Sequence, residues 1–291
     1  AQVLFESGDE VIVPAPYWVS YPDIVVLADA TPVIVQTSEK NGFKLDPADL
    51  RKAITSKTRA VVINSPSNPT GATYTEAELR KIADVIAEKK IIAISDDIYE
   101  KILYDGMRFT DIASCSSELR DLTIVVNGVS KSHAMTGWRI GYAAGPENVI
   151  KSATDFQSQN TSNPTSISQK AAAEALKGSQ EAVAMMVGEF QKRRDFIVDG
   201  LNSIPGVNCI KPEGAFYVFP NVSGLFGKTF KGSALKDSSD VTEFLLENAN
   251  VAVVPGLVFG NDKHIRLSYA TSMRNIEEGL KRIKAAVSLL I

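Results

Sequence analysis

Six short runs rich in valine and isoleucine constrain this chain more than any other feature. They are "EVIVPAPY", "TPVIVQ", "RAVVINSP", "KIIAISDDIY", "LTIVVNG" and "RIGYAAG", all within the first half. Most are nearly continuous in apolar residues, the pattern of strands covered on both faces, and amphipathic stretches separate them. Between two of them, "TEAELRKIADVIAEKK" opens with Thr75 and Glu78 in capping-box spacing and carries Leu79, Ile82, Ala83 and Ile86 along one helical face. "DPADLRKAI" starts in the same manner, with Asp46 as cap and Pro47 in the first turn. Strands alternating with helices give an α/β layer architecture with a mainly parallel sheet sandwiched by helices.

From about Asn148 to Leu201 the pattern is helical, broken near "QNTSNPTS" and "KGSQ". The remainder changes character. "GVNCIKPEGAFYVFPNV" reads as two strands around a Pro-Glu-Gly turn, "DVTEFLLENA" as a helix, and "VAVVPG" and "HIRLSYA" as strands. "NIEEGLKRIKAAVSLL" reads as a last helix capped by Asn275 with Glu278, and the polar "FGKTFKGSALKDSSD" as a surface loop. The organisation expected is a large domain over residues 1–180 and a smaller α+β domain over 181–291.

Composition narrows the chemistry. With 31 basic against 34 acidic side chains and no long block of one sign, neither nucleic acid nor an anionic membrane is the natural partner; small molecules are. Two cysteines far apart in sequence, Cys115 and Cys209, form no disulfide framework and no structural zinc spacing, as befits a reducing cytoplasm. No run approaches a membrane span. With only two histidines, His133 and His264, a histidine-based triad or a catalytic zinc has little to draw on.

Ligands of doubly wound sheets collect at the carboxyl ends of the strands. There the sequence puts Asn68 in the turn after "VVIN", Asp96 and Asp97 at the end of "IIAIS", Tyr99 just beyond, and Lys131 after "TIVVNGVS". An amide, a carboxylate, a phenol and an amine converge without a metal motif. From the residues alone either aspartate could be a helix or turn cap, and Asn68 before Pro69 is also a turn former.

"GVSKSHAMTGWRIG" resembles the lysine signature of the class I and II aminotransferases, the fold-type I enzymes that use pyridoxal 5'-phosphate. "PAPYWVSY", "NSPSNPTG", "SDDIYE" and "HIRLSYATS" resemble further motifs of that family, in its order. The resemblance implies the family's seven-stranded type of sheet and a reaction between an amino acid and a 2-oxo acid. It makes Lys131 the Schiff-base lysine and proton shuttle, and it selects Asp96, three residues before Tyr99, as partner of the pyridine nitrogen. Tyr99 and Asn68 would bond the phenolic oxygen, and Trp18 would stack on the ring. Arg139 and Ser130, with Ser132 nearby, would take the phosphate, and Arg266, whose side chain points opposite to those of Ile265 and Leu267, the substrate α-carboxylate. His133 is expected beside the site or at an interface.

The quoted stretches are most similar to the bacterial aspartate and aspartate/prephenate branch of the family. Aspartate with 2-oxoglutarate is therefore the expected pair, in a cytoplasmic homodimer with shared active sites. The family also carries a preceding segment with a glycine-rich phosphate turn, expected to belong to the protein as residues not included here. The rival readings are an aromatic or prephenate aminotransferase or a C–S β-lyase on the same fold, and a cofactor-binding regulatory domain without turnover.

Overall fold

The computed structural model describes all 291 residues. Each apolar run becomes a strand: β1 (Glu10–Ala15), β2 (Thr31–Gln36), β3 (Thr58–Asn64), β4 (Ile92–Asp96), β5 (Thr123–Gly128) and β6 (Gly141–Ala144). They form one sheet in the order β2-β1-β3-β4-β5-β6, parallel except for β6, which runs antiparallel to β5. The sheet has six strands, where the resemblance implied a seven-stranded type; the six runs in the sequence supply them all.

Helices α1 (Ser20–Val26), α2 (Pro47–Ala53), α3 (Glu76–Lys89) and α4 (Ser117–Leu122) connect the parallel strands. The Thr75–Glu78 capping box and the Asp46 cap form as expected, satisfying amides that a helix start leaves unpaired. One sheet face buries Ile12, Val61 and Ile63 under Leu79, Ile82 and Ile86 of α3; the other buries Val11, Val13 and Val62 against Val25 of α1. Coverage on both faces therefore holds for the centre of the sheet. It fails at β6, whose residues are all exposed although the sequence there is apolar: β6 is an end strand, and α5 (Glu147–Asn160), which follows it, buries no residue at all.

Helices α6 (Ser166–Lys177) and α7 (Glu181–Asn202) complete the helical region, with breaks where the sequence put them. The largest apolar cluster follows. It joins Phe190, Ile197 and Leu201 of α7 to Tyr217 and Val218 of β7 (Tyr217–Val218), and takes in Tyr99, Ile102 and Tyr104 from the chain after β4. Next come a hairpin of β8 (Thr229–Phe230) and β9 (Ser233–Ala234), α8 (Ser238–Ala249), β10 (Val254–Pro255), β11 (Ile265–Ser268) and α9 (Met273–Val287).

Three local readings change. The stretch before the Pro-Glu-Gly turn is no strand: only Asn208 bridges to Asn221, because Asn202 spends its side chain on the backbone of Cys209. The polar "loop" contains the β8–β9 hairpin, pairs too short to show alternation. And α9 begins one turn early, capped by Ser272, whose hydroxyl accepts from the Asn275 amide.

Candidate active site

The strand order reverses between β1 and β3: the chain leaves β1 to one side for β2 and returns on the other side for β3. Ligands of open α/β sheets bind at such a switch point. A narrow cleft opens there, walled by Tyr17, Trp18, Tyr21 and Phe43 and floored by Asn64 and Asn68.

Parallel register brings the chemistry together. Asn64 is paired with Asp96, and Asp96 with Val126, so β3 and β4 end level and β5 runs two residues further. Asn64 donates to the Asp96 carbonyl (2.9 Å) and accepts from the Asn68 amide (2.9 Å), fixing the turn that presents Asn68. Beyond it Gly71 lies at φ +69°, where a β-carbon would sit 2.7 Å from the Gly214 carbonyl; only glycine lets this turn press onto the later part of the chain.

Of the two aspartates, Asp96 is the one tied to the cleft, through Tyr21 of its wall. Its Oδ2 accepts from the Tyr21 hydroxyl at 2.5 Å and its Oδ1 from the Ile98 amide at 3.2 Å. Burial lifts its carboxyl above the ordinary value, against the opposing pull of Tyr21, Ile98 and the Lys131 ammonium. Asp97 turns away, accepting from Ser95, and burial pushes it up to about 7.

Lys131 lies three residues past β5, half-buried, and its amine makes neither a hydrogen bond nor an ion pair within the chain. Its amine lies 5.9 Å from the centre of the Phe216 ring. Burial lowers its pKa, and the charges of Arg139 and Arg266 lower it further, against Asp96. An amine so placed has a larger neutral fraction than a solvated lysine, the condition for a nucleophile or proton carrier.

Arg266, from β11, reaches Asn68 on the cleft floor. Its Nη1 donates to Asn68 Oδ1 (2.9 Å), and its guanidinium lies over the rings of Tyr217 (4.7 Å) and Phe259 (4.9 Å). Burial lowers its pKa. The planar fork is thus held flat with donors to spare for a carboxylate. Tyr99 is buried with its hydroxyl 2.9 Å from that of Tyr217, and burial raises it strongly.

The remaining sequence candidates sit more openly. Trp18 is 37% exposed on the cleft wall, edge-on to Tyr21 at 5.4 Å. Arg139 is exposed, left-handed at φ 52°, and donates to the Thr136 carbonyl (3.0 Å); Ser130 is partly exposed beside Lys131. Ser132 is not available with them: it is buried and bonded to His133 Nδ1 (2.8 Å), whose other nitrogen meets Gln180 at 3.2 Å. Three residues of the site escaped the sequence reading. Tyr21 lies within "PYWVSY" and Asn64 is a polar residue closing an apolar strand, both readable signals; Tyr217 in "GAFYVFP" offered none.

The donor set fits pyridoxal phosphate: an unpaired amine, a buried carboxylate near enough for its charge to act on that amine, a phenol and an amide, a flat indole wall, and an exposed arginine with a hydroxyl for an anionic tail. Comparison with known proteins agrees with this chemistry. The family described as aminotransferase class I and II matches residues 1–283. An aspartate aminotransferase of Geobacillus stearothermophilus is 51% identical over 97% of this chain and 71% of its own length. A probable aspartate/prephenate aminotransferase of Rickettsia bellii is 50% identical over 98% of the chain and 72% of its own. The crystal structure of the aspartate aminotransferase from Rhizobium meliloti superposes with a TM-score of 0.97 at 46% identity, covering 100% of this chain and 73% of that one. With half of its residues shared along nearly its whole length and the same fold beneath them, the chain belongs to the class I and II aminotransferases.

Proposed function

We propose that the chain transfers the amino group of aspartate to 2-oxoglutarate, yielding oxaloacetate and glutamate, with pyridoxal 5'-phosphate held at the cleft. The observation that carries this reading is Lys131: a half-buried amine without a partner, its charge disfavoured by burial and by Arg139 and Arg266. The cofactor, when bound, supplies an aldehyde for condensation with amines and a ring that accepts electrons. The chain's own residues do the rest.

Lys131 would hold the cofactor through its amine and would carry the proton of the substrate Cα. Asp96, whose charged form Tyr21 and the Ile98 amide favour against burial, would hold a proton on the pyridine nitrogen. Tyr99 and Asn68 would donate to the phenolic oxygen, Trp18 would stack on the ring, and Arg139 with Ser130 would take the phosphate. Arg266 clamps the α-carboxylate, orienting the Cα–H toward Lys131. Each charged hydrogen bond of this kind contributes about 1.5 to 3 kcal/mol.

Residues 1–180 form the large domain and 181–291 the small one in this reading, within a cytoplasmic homodimer with shared active sites. No membrane-crossing helix is present. One observation favours a broader 2-oxo acid range that includes prephenate: Tyr17, Trp18, Tyr21, Phe43 and Tyr74 give the cleft aromatic walls able to pack on a ring. Glutamate formed from aspartate and 2-oxoglutarate tests the reading. Pyruvate and ammonia from cystathionine with no glutamate would make the protein a C–S lyase, and no turnover of either would make it a cofactor-binding regulator.

A further inference from the structure

Tyr217 belongs to none of the roles above, yet it touches two of them. Its hydroxyl lies 2.9 Å from that of Tyr99 and has no other hydrogen-bond partner, while the Arg266 guanidinium lies 4.7 Å above its ring. It is buried, on β7, paired across from Ser268 of the strand that carries Arg266.

A phenol has one proton, so only one hydroxyl of the pair can donate within it. If Tyr99 donates, its proton is spent on Tyr217 and it has none for the cleft. If Tyr217 donates, the Tyr99 proton is free to point at a ligand. The surrounding charges differ for the two rings. Burial above all, then Tyr217 and Asp96, strengthen Tyr99's hold on its proton against the pull of Arg266, and a phenol that holds its proton tightly is the better acceptor. The cation over the Tyr217 face withdraws electron density, making that hydroxyl the better donor.

We propose that Tyr217 is a positioning residue for two groups at once: its hydroxyl donates to Tyr99 and so aims the Tyr99 proton into the cleft, and its ring supports the plane of Arg266. The inference rests on the proposed function, in which Tyr99 serves the cofactor oxygen and Arg266 the substrate carboxylate. A donor chain is stronger than its last link alone, so Tyr217 strengthens what Tyr99 gives to the phenolic oxygen.

Two variants of the cofactor-loaded full-length protein separate the hydroxyl from the ring. In Tyr217→Phe the midpoint of the pH-dependent visible absorbance rises by about half a unit, because the phenolic oxygen is less well stabilised. In the same variant the Kd for succinate, an unreactive dicarboxylate, stays within about twofold, since the ring remains. In Tyr217→Leu the succinate Kd also rises about fivefold. A midpoint in Tyr217→Phe that falls or does not move would mean that Tyr99 is the donor. Equal succinate Kd values in the two variants would mean that the ring does not support Arg266. Either result overturns the proposal while the function stands; wild-type protein with no absorbance that titrates would overturn both.

Discussion

Replacing Tyr21 by phenylalanine removes one atom, and the structure says what that atom does. The Tyr21 hydroxyl donates to Asp96 at 2.5 Å; the ring, which meets Trp18 edge-on, would stay. No cavity follows, so the energetic effect is that of the bond alone. A hydrogen bond to an ionised group contributes about 1.5 to 3 kcal/mol, one to a neutral group about 0.5 to 1.5. Asp96 is buried and its carboxyl is already raised above the ordinary value, so ionising it in the folded state costs stability as pH rises through its folded pKa. Tyr21 offsets that cost and does so only for the carboxylate.

Tyr21→Phe should therefore destabilise the unloaded protein less at pH 4, where a raised carboxyl keeps its proton more than an ordinary aspartate does, than at pH 8, where the loss is about 1.5 to 3 kcal/mol. Urea unfolding at the two pH values, in protein stripped of cofactor, measures the difference without any assay of activity. A loss of the same size at both would refute the reasoning, because it would reduce Tyr21 to a packing residue.

Asp97 gives the opposite sign. Its folded pKa is pushed up to about 7 by burial from an ordinary 3.8, so wild-type stability falls as pH rises through that window. Asp97→Asn, which cannot ionise, should gain about 2 kcal/mol on the wild type between pH 5 and pH 8 in the same unfolding experiment. Arg194 is wholly buried in α7, forked onto Asp105 at 2.7 and 3.0 Å and paired with Asp195 at 2.8 Å. Asp105→Ala should cost about 3 kcal/mol by urea midpoint, the lower end for stranding a buried ion, since Asp195 remains. Ser272→Ala should cost about 1 kcal/mol as the loss of the α9 cap, and Asn275→Ala clearly less; the reverse ranking would restore the cap to Asn275.

The parallel strands were legible because a strand buried on both faces must be apolar throughout, and polar residues at or just beyond the end of a run mark where ligands gather. Asp96, Asn68 and Lys131 were found in that way. The β6 run shows the limit: it is apolar but exposed, since sequence reports a strand's fitness for burial and not what lies over it. Helix α1 was passed over inside a motif read only for its aromatics, and Pro22 in its first turn hid it further. The two-residue strands β8 and β9 carry no period to detect. Tyr21, Asn64 and Tyr217 were missed for a shared reason. Their partners lie 75, 32 and 118 residues away, so their roles exist only after folding.

The central claim is that one amine, Lys131, takes the aldehyde. Borohydride reduction of the full-length protein loaded with pyridoxal phosphate, followed by digestion and mass spectrometry, locates the attachment directly. The account predicts the cofactor mass on the peptide containing Lys131 and its loss in Lys131→Ala. Attachment to a different lysine, or none at all in the wild type, would contradict it.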